Sequence, residues 1–92
     1  MPSKKTVAIL GAGAMGTALA ILIAKYKTGR VKLWDRDKKL IAQIKKSRRN
    51  KKYFREDTKI PKEVELLTNL TKVIKGSDLL LLAVPSSALR EV

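Results

Sequence analysis

Short apolar runs alternate along the chain with stretches in which apolar residues recur every three or four positions. Residues 6–10 form an apolar run with β-branched residues that stops at a glycine cluster, which is typical of a buried central strand. From Met15 to Tyr26 the apolar residues recur at helical spacing with small residues between them. This segment is predicted to be a helix that is buried on most sides and ends at Gly29.

The same alternation continues into the middle of the chain. Residues 31–34 are predicted to form a second strand that ends at Asp35. Asp37 is predicted to cap the N-terminus of a second helix. The apolar stripe of that helix is formed by Leu40, Ile41 and Ile44. The first half of the chain therefore reads strand, helix, strand, helix.

A basic connector, defined as residues 45–55, separates the two halves because it holds too few apolar residues for a core element. Beyond it, residues 64–66 alternate like a strand, and Thr68 or Asn69 is placed to cap a short third helix. Residues 78–84, which are apolar from Leu79 onward, predict the clearest buried strand of the chain, the fourth.

Strands that alternate with helices predict an α/β fold built from right-handed βαβ units. We therefore expect a parallel sheet with helices on both faces and the strand order 3-2-1-4. A length of 92 residues is enough for one small domain and too short for two, so residues 1–92 are assigned to a single domain. No apolar stretch approaches the ~20 residues that span a bilayer, and no signal peptide is recognised, so we expect a cytoplasmic protein without a membrane partner.

The strongest chemical signal is a G-x-G-x-x-G loop directly after the first strand and directly before the first helix. In this context Gly11 can form the tight turn, Gly13 lets the backbone approach a pyrophosphate, and Gly16 lets helix and strand pack closely. Asp35 follows Gly11 by 24 positions, close to the ~20-residue offset of the carboxylate that binds adenosine ribose hydroxyls. The pattern indicates a Rossmann-like dinucleotide site.

A simpler interpretation is that the glycines only form a turn and Asp35 only caps one. The required order of strand, loop, helix, strand and acid favours dinucleotide binding over that interpretation. Arg36 could hold the 2′-phosphate of NADP, which Asp35 would repel. The charges therefore favour NAD as the cofactor and leave NADP possible.

Charge and composition raise the question of whether the chain binds nucleic acid or another anion. The formal net charge is +13, which attracts anions such as nucleic acid, acidic membranes or phosphorylated ligands. Seven basic residues lie in the basic connector beside Tyr53 and Phe54, as in a nucleic-acid patch. Solubilising surface charge is the favoured interpretation because no helix-turn-helix, RNP or zinc pattern accompanies them. The absence of Cys and His excludes disulfides, zinc fingers and imidazole chemistry.

Longer segments add a resemblance that runs from the first strand to the last residue. The segments are residues 11–20, 33–36, 48–53, 67–70, 83–86 and 89–92. In order and spacing they resemble the N-terminal part of NAD(P)-dependent glycerol-3-phosphate dehydrogenase, a family that interconverts sn-glycerol 3-phosphate and dihydroxyacetone phosphate for phospholipid biosynthesis. The Arg-x-Asn-x-x-Tyr segment at 48–53 and the Val-Pro-Ser at 84–86 are not general features of dinucleotide-binding folds.

The resemblance implies a cofactor site and assigns no catalytic residue and no metal ligand to this chain. The residues that would line the pyrophosphate are Gly11, Gly13, Ala14, Met15 and Gly16. The residues that would face the adenosine ribose are Asp35 and Arg36. The residues that would lie beside the bound dinucleotide elsewhere are Tyr53, Val84 and Pro85, the last two at the end of the fourth strand.

The resemblance also implies an incomplete enzyme. Members of the family are several times longer, and the lysines they use for substrate phosphate and proton transfer lie beyond the position equivalent to Val92. We therefore expect the N-terminal dinucleotide-binding domain of an oxidoreductase, truncated after the fourth strand and lacking the C-terminal helical substrate domain. The isolated chain should show no turnover, and glycerol 3-phosphate or dihydroxyacetone phosphate would bind only in the full-length enzyme.

Truncation would leave residues 79–84 as an apolar edge strand, so we expect self-association through that edge or the uncovered sheet face. Two other functions stay open. The chain could be the cofactor-binding half of another Rossmann dehydrogenase, or a basic module that binds nucleic acid or a protein.

Overall fold

A computed structural model describes residues 5–26, 30–52 and 59–83, and within them strands and helices alternate as predicted. The elements are β1 (Thr6–Leu10), α1 (Ala14–Tyr26), β2 (Arg30–Trp34), α2 (Lys38–Ser47), β3 (Val64–Leu67), α3 (Leu70–Ile74) and β4 (Leu79–Leu82). The predicted end of α1 at Gly29 lies outside the described residues. None of the described helices is both long enough and apolar enough to cross a membrane.

The four strands form one parallel sheet in the order β3-β2-β1-β4, which confirms the predicted order. β1 lies between β2 and β4, so it has a hydrogen-bonded neighbour on each side. Its pairing with β4 begins at Asp78, which is bonded twice to Thr6. The Thr6 amide donates to Asp78 Oδ2 (2.7 Å) and the Asp78 amide donates to the Thr6 carbonyl (2.8 Å).

Helices cover both faces of the sheet. Ile9, Leu33 and Leu66 lie opposite one another in register on neighbouring strands, and α1 and α2 bury this face. The chain then returns from β3 past β1 to β4, and a right-handed return places α3 on the opposite face. There Val73 of α3 and Ala8 of β1 are fully buried outside the main core cluster.

Both predicted helix caps are present, and the structure decides between the two candidates for α3. Asp37 Oδ1 accepts from the Leu40 amide (3.1 Å), and Asn69 Oδ1, rather than Thr68, accepts from the Lys72 amide (3.1 Å). Helix α2 extends to Ser47, so the first residues of the basic connector are helical. Its C-cap, Arg48, takes the left-handed conformation with φ 59°.

The side chain of Arg48 fastens the chain after α2 to the start of β3. Its guanidinium donates to the carbonyls of Ile60 (3.3 Å), Val64 (2.9 Å) and Pro61. The Ile60 amide returns a bond to the Arg48 carbonyl (2.6 Å). A planar guanidinium suits this role because it presents several donors in a fixed fork.

The prediction that α1 is buried on most sides is wrong. Its fully buried residues are the small ones, Gly16, Thr17 and Ala20, while Met15 and Tyr26 are exposed. Small side chains let the helix axis approach the sheet closely, and the large apolar side chains on the far side then project away from it.

The prediction that β4 is buried is also wrong. Leu79, Leu80 and Leu82 are exposed, Leu82 to 63%, and only Leu81 packs against the core. The cause is position, because β4 lies at the edge of the described sheet and hydrogen-bonds to β1 alone. The expected edge strand is therefore present, but it spans Leu79–Leu82 within the described residues.

Candidate functional site

The glycine loop joins the end of β1 to the start of α1 through a backbone turn that requires glycine. Gly11 has φ 118°, a region that L side chains rarely adopt. Its amide donates to the carbonyl of Trp34 at the end of β2 (2.7 Å), so the turn stays attached to the neighbouring strand. The chain thus reverses from strand to helix at the carboxyl end of the sheet, where ligands of open α/β sheets bind.

Two further glycines of the loop have opposite surroundings. A Cβ atom on Gly16 would lie 1.8 Å from the Gly11 carbonyl oxygen and 3.3 Å from the Cβ of Ala83. Only glycine permits this contact between α1 and the loop. A Cβ on Gly13 would meet nothing within 4 Å, so the backbone there is open to close approach.

Asp35 lies directly beside the loop at the end of β2. Its Oδ2 accepts from the Ala12 amide (2.8 Å) and its Oδ1 accepts from the Asp37 amide (2.8 Å). A carboxylate offers about four acceptor positions, so two bonds leave capacity for ligand hydroxyl groups. The glycine loop and the acid that the sequence singled out are therefore brought together.

The other predicted site residues divide into three groups. Ala14 and Met15 are exposed in the first turn of α1, next to Gly13. Arg36 is exposed on the turn after Asp35. The residues that lie outside the described part of the chain are Tyr53, Val84 and Pro85.

A buried asparagine under the loop was not anticipated as part of the site. Asn50 is only 1% exposed, and its Nδ2 donates to the Ala12 carbonyl and to Thr17 Oγ1, both at 2.7 Å. In the sequence, Asn50 stands out only as one residue of the Arg-x-Asn-x-x-Tyr segment that carries the family resemblance. No local pattern reveals a contact between residues 38 positions apart.

Charged side chains at the N-terminus of α2 stabilise that helix. The amide of Leu40, which donates to Asp37, holds the pKa of that carboxyl below its usual range, and Lys52, whose Nζ lies 3.6 Å from Asp37 Oδ2, acts in the same direction. In the described ranges no group of three or more acidic, His or Cys side chains is placed to hold a metal ion.

The sequence also matches a known protein family. The family described as NAD-dependent glycerol-3-phosphate dehydrogenase N-terminus matches residues 6–92. The chain belongs to this family. A glycerol-3-phosphate dehydrogenase (NAD(P)+) of Pseudomonas syringae pv. syringae is 41% identical over 92 residues, covering the whole of this chain and 26% of the relative. One from Thermoanaerobacter sp. is 40% identical over 86 residues, covering 94% of this chain and 25% of the relative.

The fold of this glycerol-3-phosphate dehydrogenase family member also matches a solved structure. The crystal structure of glycerol-3-phosphate dehydrogenase from Coxiella burnetii superimposes with a TM-score of 0.86 at 31% identity, covering 98% of this chain and 27% of that one. The Rossmann-like fold predicted from the sequence is thereby confirmed. The chain spans about a quarter of the length of the curated relatives it matches.

Proposed function

We propose that residues 1–92 form a dinucleotide-binding domain that supplies the cofactor site of a glycerol-3-phosphate dehydrogenase. In this proposal the pyrophosphate of NAD lies over Gly13 at the start of α1 and the adenosine ribose lies at Asp35. The observation that carries the proposal is the glycine loop itself. Its backbone is open at Gly13, and a carboxylate is fastened beside it at the end of the next strand.

The pyrophosphate would be held by backbone groups without a basic side chain. The first bond of α1 runs from the Thr17 amide to the Gly13 carbonyl (3.0 Å). The amides of residues 14–16 precede it, and such amides have no partner within the helix. Together with the positive end of the helix dipole they suit a bound phosphate.

The choice between NAD and NADP rests on Asp35 and Arg36. The Asp35 carboxylate has acceptor capacity for ribose hydroxyls and would repel a 2′-phosphate. Arg36 is exposed on the next turn, where it could offset part of that repulsion. We therefore propose NAD as the preferred cofactor, with weaker binding of NADP.

Calorimetric titration with NAD and NADP tests this proposal. Asp35→Asn should weaken NAD binding because the amide group replaces one acceptor oxygen by a donor. Glu65→Gln, which removes one exposed carboxylate from β3, is the matched control and should bind NAD like the wild type. An unchanged NAD affinity in Asp35→Asn would remove Asp35 from the site.

The reaction is proposed from the family to which the chain belongs. It is the oxidation of sn-glycerol 3-phosphate to dihydroxyacetone phosphate with NAD(P)+, in phospholipid biosynthesis. Hydride transfer needs substrate held against the nicotinamide and a proton donor, so we expect these 92 residues alone to show no turnover. Oxidation of NADH by the purified chain with dihydroxyacetone phosphate would contradict that expectation.

Self-association through the edge of β4 is also part of the proposal. Exposed Leu79, Leu80 and Leu82 at the β4 edge support self-association through unpaired strand groups and apolar side chains. Light scattering should show a mass that rises with concentration, whereas a constant monomer mass would contradict self-association.

A cytoplasmic location remains a prediction from the sequence, and cell fractionation tests it.

A further inference from the structure

We infer that Asn50 is a positioning residue for the cofactor, which orients the backbone of the glycine loop from beneath it. The inference rests on the proposed function and extends it to a residue in the segment after α2. That segment shares no strand or helix with the loop, and Asn50 is 38 positions from Ala12 in sequence.

The donor capacity of Asn50 is directed at the loop. An amide group carries two N–H donors, and the Nδ2 of Asn50 donates to the Ala12 carbonyl and to the Thr17 hydroxyl, both at 2.7 Å. The carbonyl can only accept, so it fixes which end of the amide faces the loop. Thr17 itself is fully buried in the first turns of α1. One side chain thus ties the loop to the helix that follows it.

The bond to the Ala12 carbonyl also sets the direction of the next amide. The peptide unit between Ala12 and Gly13 is planar and trans, so its N–H points opposite to its C=O. With the carbonyl held towards buried Asn50, the Gly13 amide is aimed at the other side of the loop. That is the side on which the pyrophosphate is proposed to lie.

Two side chains, one from the turn after β2 and one from the segment after α2, hold the amide and the carbonyl of Ala12. Its amide donates to Asp35 Oδ2 (2.8 Å), and its carbonyl accepts from Asn50. The peptide plane before Ala12 and the one after it therefore have little freedom to rotate. A loop that is already in its binding conformation loses less entropy when a ligand arrives, which improves affinity.

Asn50 is itself held in place by the turn in which it lies. The Gln43 side chain donates to the Arg49 carbonyl and to Ser47 Oγ (2.7 Å), and Arg48 is fastened to the start of β3. A binding group supported by rigid elements is positioned more precisely than one on a free loop. The segment after α2 thereby acts as a support for the phosphate site.

The test compares Asn50→Asp with Asn69→Asp in the 92-residue chain. Asn50→Asp keeps the shape of the side chain but replaces both donors by an acceptor that repels the Ala12 carbonyl. Asn69→Asp makes the same change at the exposed N-cap of α3, where a carboxylate caps as well as an amide, so it is the matched control. Each variant is measured by calorimetry with NAD, by thermal unfolding, and by the amide chemical shift of Gly13 without cofactor.

We expect Asn50→Asp to raise the Kd for NAD roughly tenfold, because both hydrogen bonds that orient the loop are lost. The Gly13 amide resonance should move in Asn50→Asp and stay in place in Asn69→Asp. Equal weakening of NAD binding in both variants, or an unchanged Kd in Asn50→Asp, would overturn the inference.

A second pair of variants keeps the test valid if Asn50→Asp fails to fold. Thr17→Val removes one of the two acceptors and should weaken NAD binding roughly fivefold, the equivalent of one ordinary hydrogen bond. Thr17→Ser restores the hydroxyl and should recover most of the affinity. Equal affinity in the two Thr17 variants would overturn the inference. If the wild type binds no NAD, the proposed function fails, whereas the Gly13 resonance still reports whether Asn50 orients the loop.

Discussion

Gly16 and Gly13 are three positions apart in one loop, yet the surroundings give them different roles. At Gly16 an added methyl group would collide with the Gly11 carbonyl, which is backbone and cannot rotate aside. At Gly13 the same methyl group would enter open space. One glycine is therefore required by folding, and the other is free to serve a ligand.

This contrast predicts different results for the two alanine variants. Gly16→Ala should destabilise the fold by about 3 kcal/mol, the upper end of the range for an overpacked core. Gly13→Ala should change stability by less than about 1 kcal/mol but weaken NAD binding, because its methyl group occupies the approach to the backbone. Urea unfolding and calorimetry on both proteins measure the two effects. Wild-type stability in Gly16→Ala would contradict the close contact.

The sequence predicted single residues well where a local rule applies and poorly where the contact is distant. Gly11, Gly13, Gly16 and Asp35 were placed because their spacing reflects one strand-turn-helix-strand unit. The role of Asn50 depends on how the chain returns after α2, which no local rule specifies.

At the scale of elements, α2 has the most clearly defined ends. Asp37 accepts from the Leu40 amide at its start, lysines occupy its last turn, and Arg48 ends it in the left-handed conformation. Each of these satisfies exposed backbone groups or opposes the partial charge of the helix end. The short α3 is capped by Asn69 in the same way.

The capping bond predicts that α2 contributes less to stability in acid. The pKa of Asp37 is lowered in the folded state, so its stabilisation is complete above the unfolded pKa and is lost as the pH falls through the folded value. Asp37→Ala should therefore be less stable than the wild type at pH 7, and the gap should narrow below about pH 4. Urea unfolding at several pH values measures it. Asp37→Asn, which keeps an acceptor for the Leu40 amide without a titrating group, should have a stability less dependent on pH in this range than that of the wild type.

The elements that the sequence misjudged are those whose burial depends on a neighbour. A continuous apolar run predicts a strand such as β4 correctly, but not how many of its sides are covered. In α1 the apolar periodicity was real, yet only the small residues are buried, while Leu19, Ile21 and Ile23 pack against the core in part. Hydrophobicity marks what can be buried, and packing geometry selects which face is.

At the scale of the whole molecule, the positive charge and the proposed cofactor site are separate features. The proposed pyrophosphate site uses backbone amides, while many of the lysines lie on exposed surfaces such as Lys45 and Lys46 of α2. A net charge of +13 attracts any polyanion at low salt. Salt dependence should therefore separate the two kinds of binding.

Raising the salt from about 50 to 200 mM should weaken NAD binding at most about tenfold, because one pyrophosphate has two charges to neutralise. Binding to a duplex oligonucleotide should fall about a thousandfold or more over the same range if it uses six or more phosphates. Titrations of both ligands at several salt concentrations measure these slopes. Tight, base-dependent oligonucleotide binding at physiological salt would instead favour a nucleic-acid module.

The strand order was predictable at this scale because few topologies obey the rule of right-handed crossovers. Given four strands separated by helices and a glycine loop after the first, the order 3-2-1-4 follows, and the structure has it. The apolar run of β4 does not by itself predict how much of the strand is covered, because coverage depends on what lies beyond the last strand in the order; the exposed edge was expected only from the family resemblance.

The paired bonds between Thr6 and Asp78 join residues 72 positions apart, and this has a consequence for the newly made chain. Ribosomes add about 5–20 residues per second, so β1 is synthesised about 4 to 14 seconds before its β4 partner. During that interval β1 can pair with β2 but has one open edge. The most buried strand of the sheet is therefore the one that waits longest for its second neighbour.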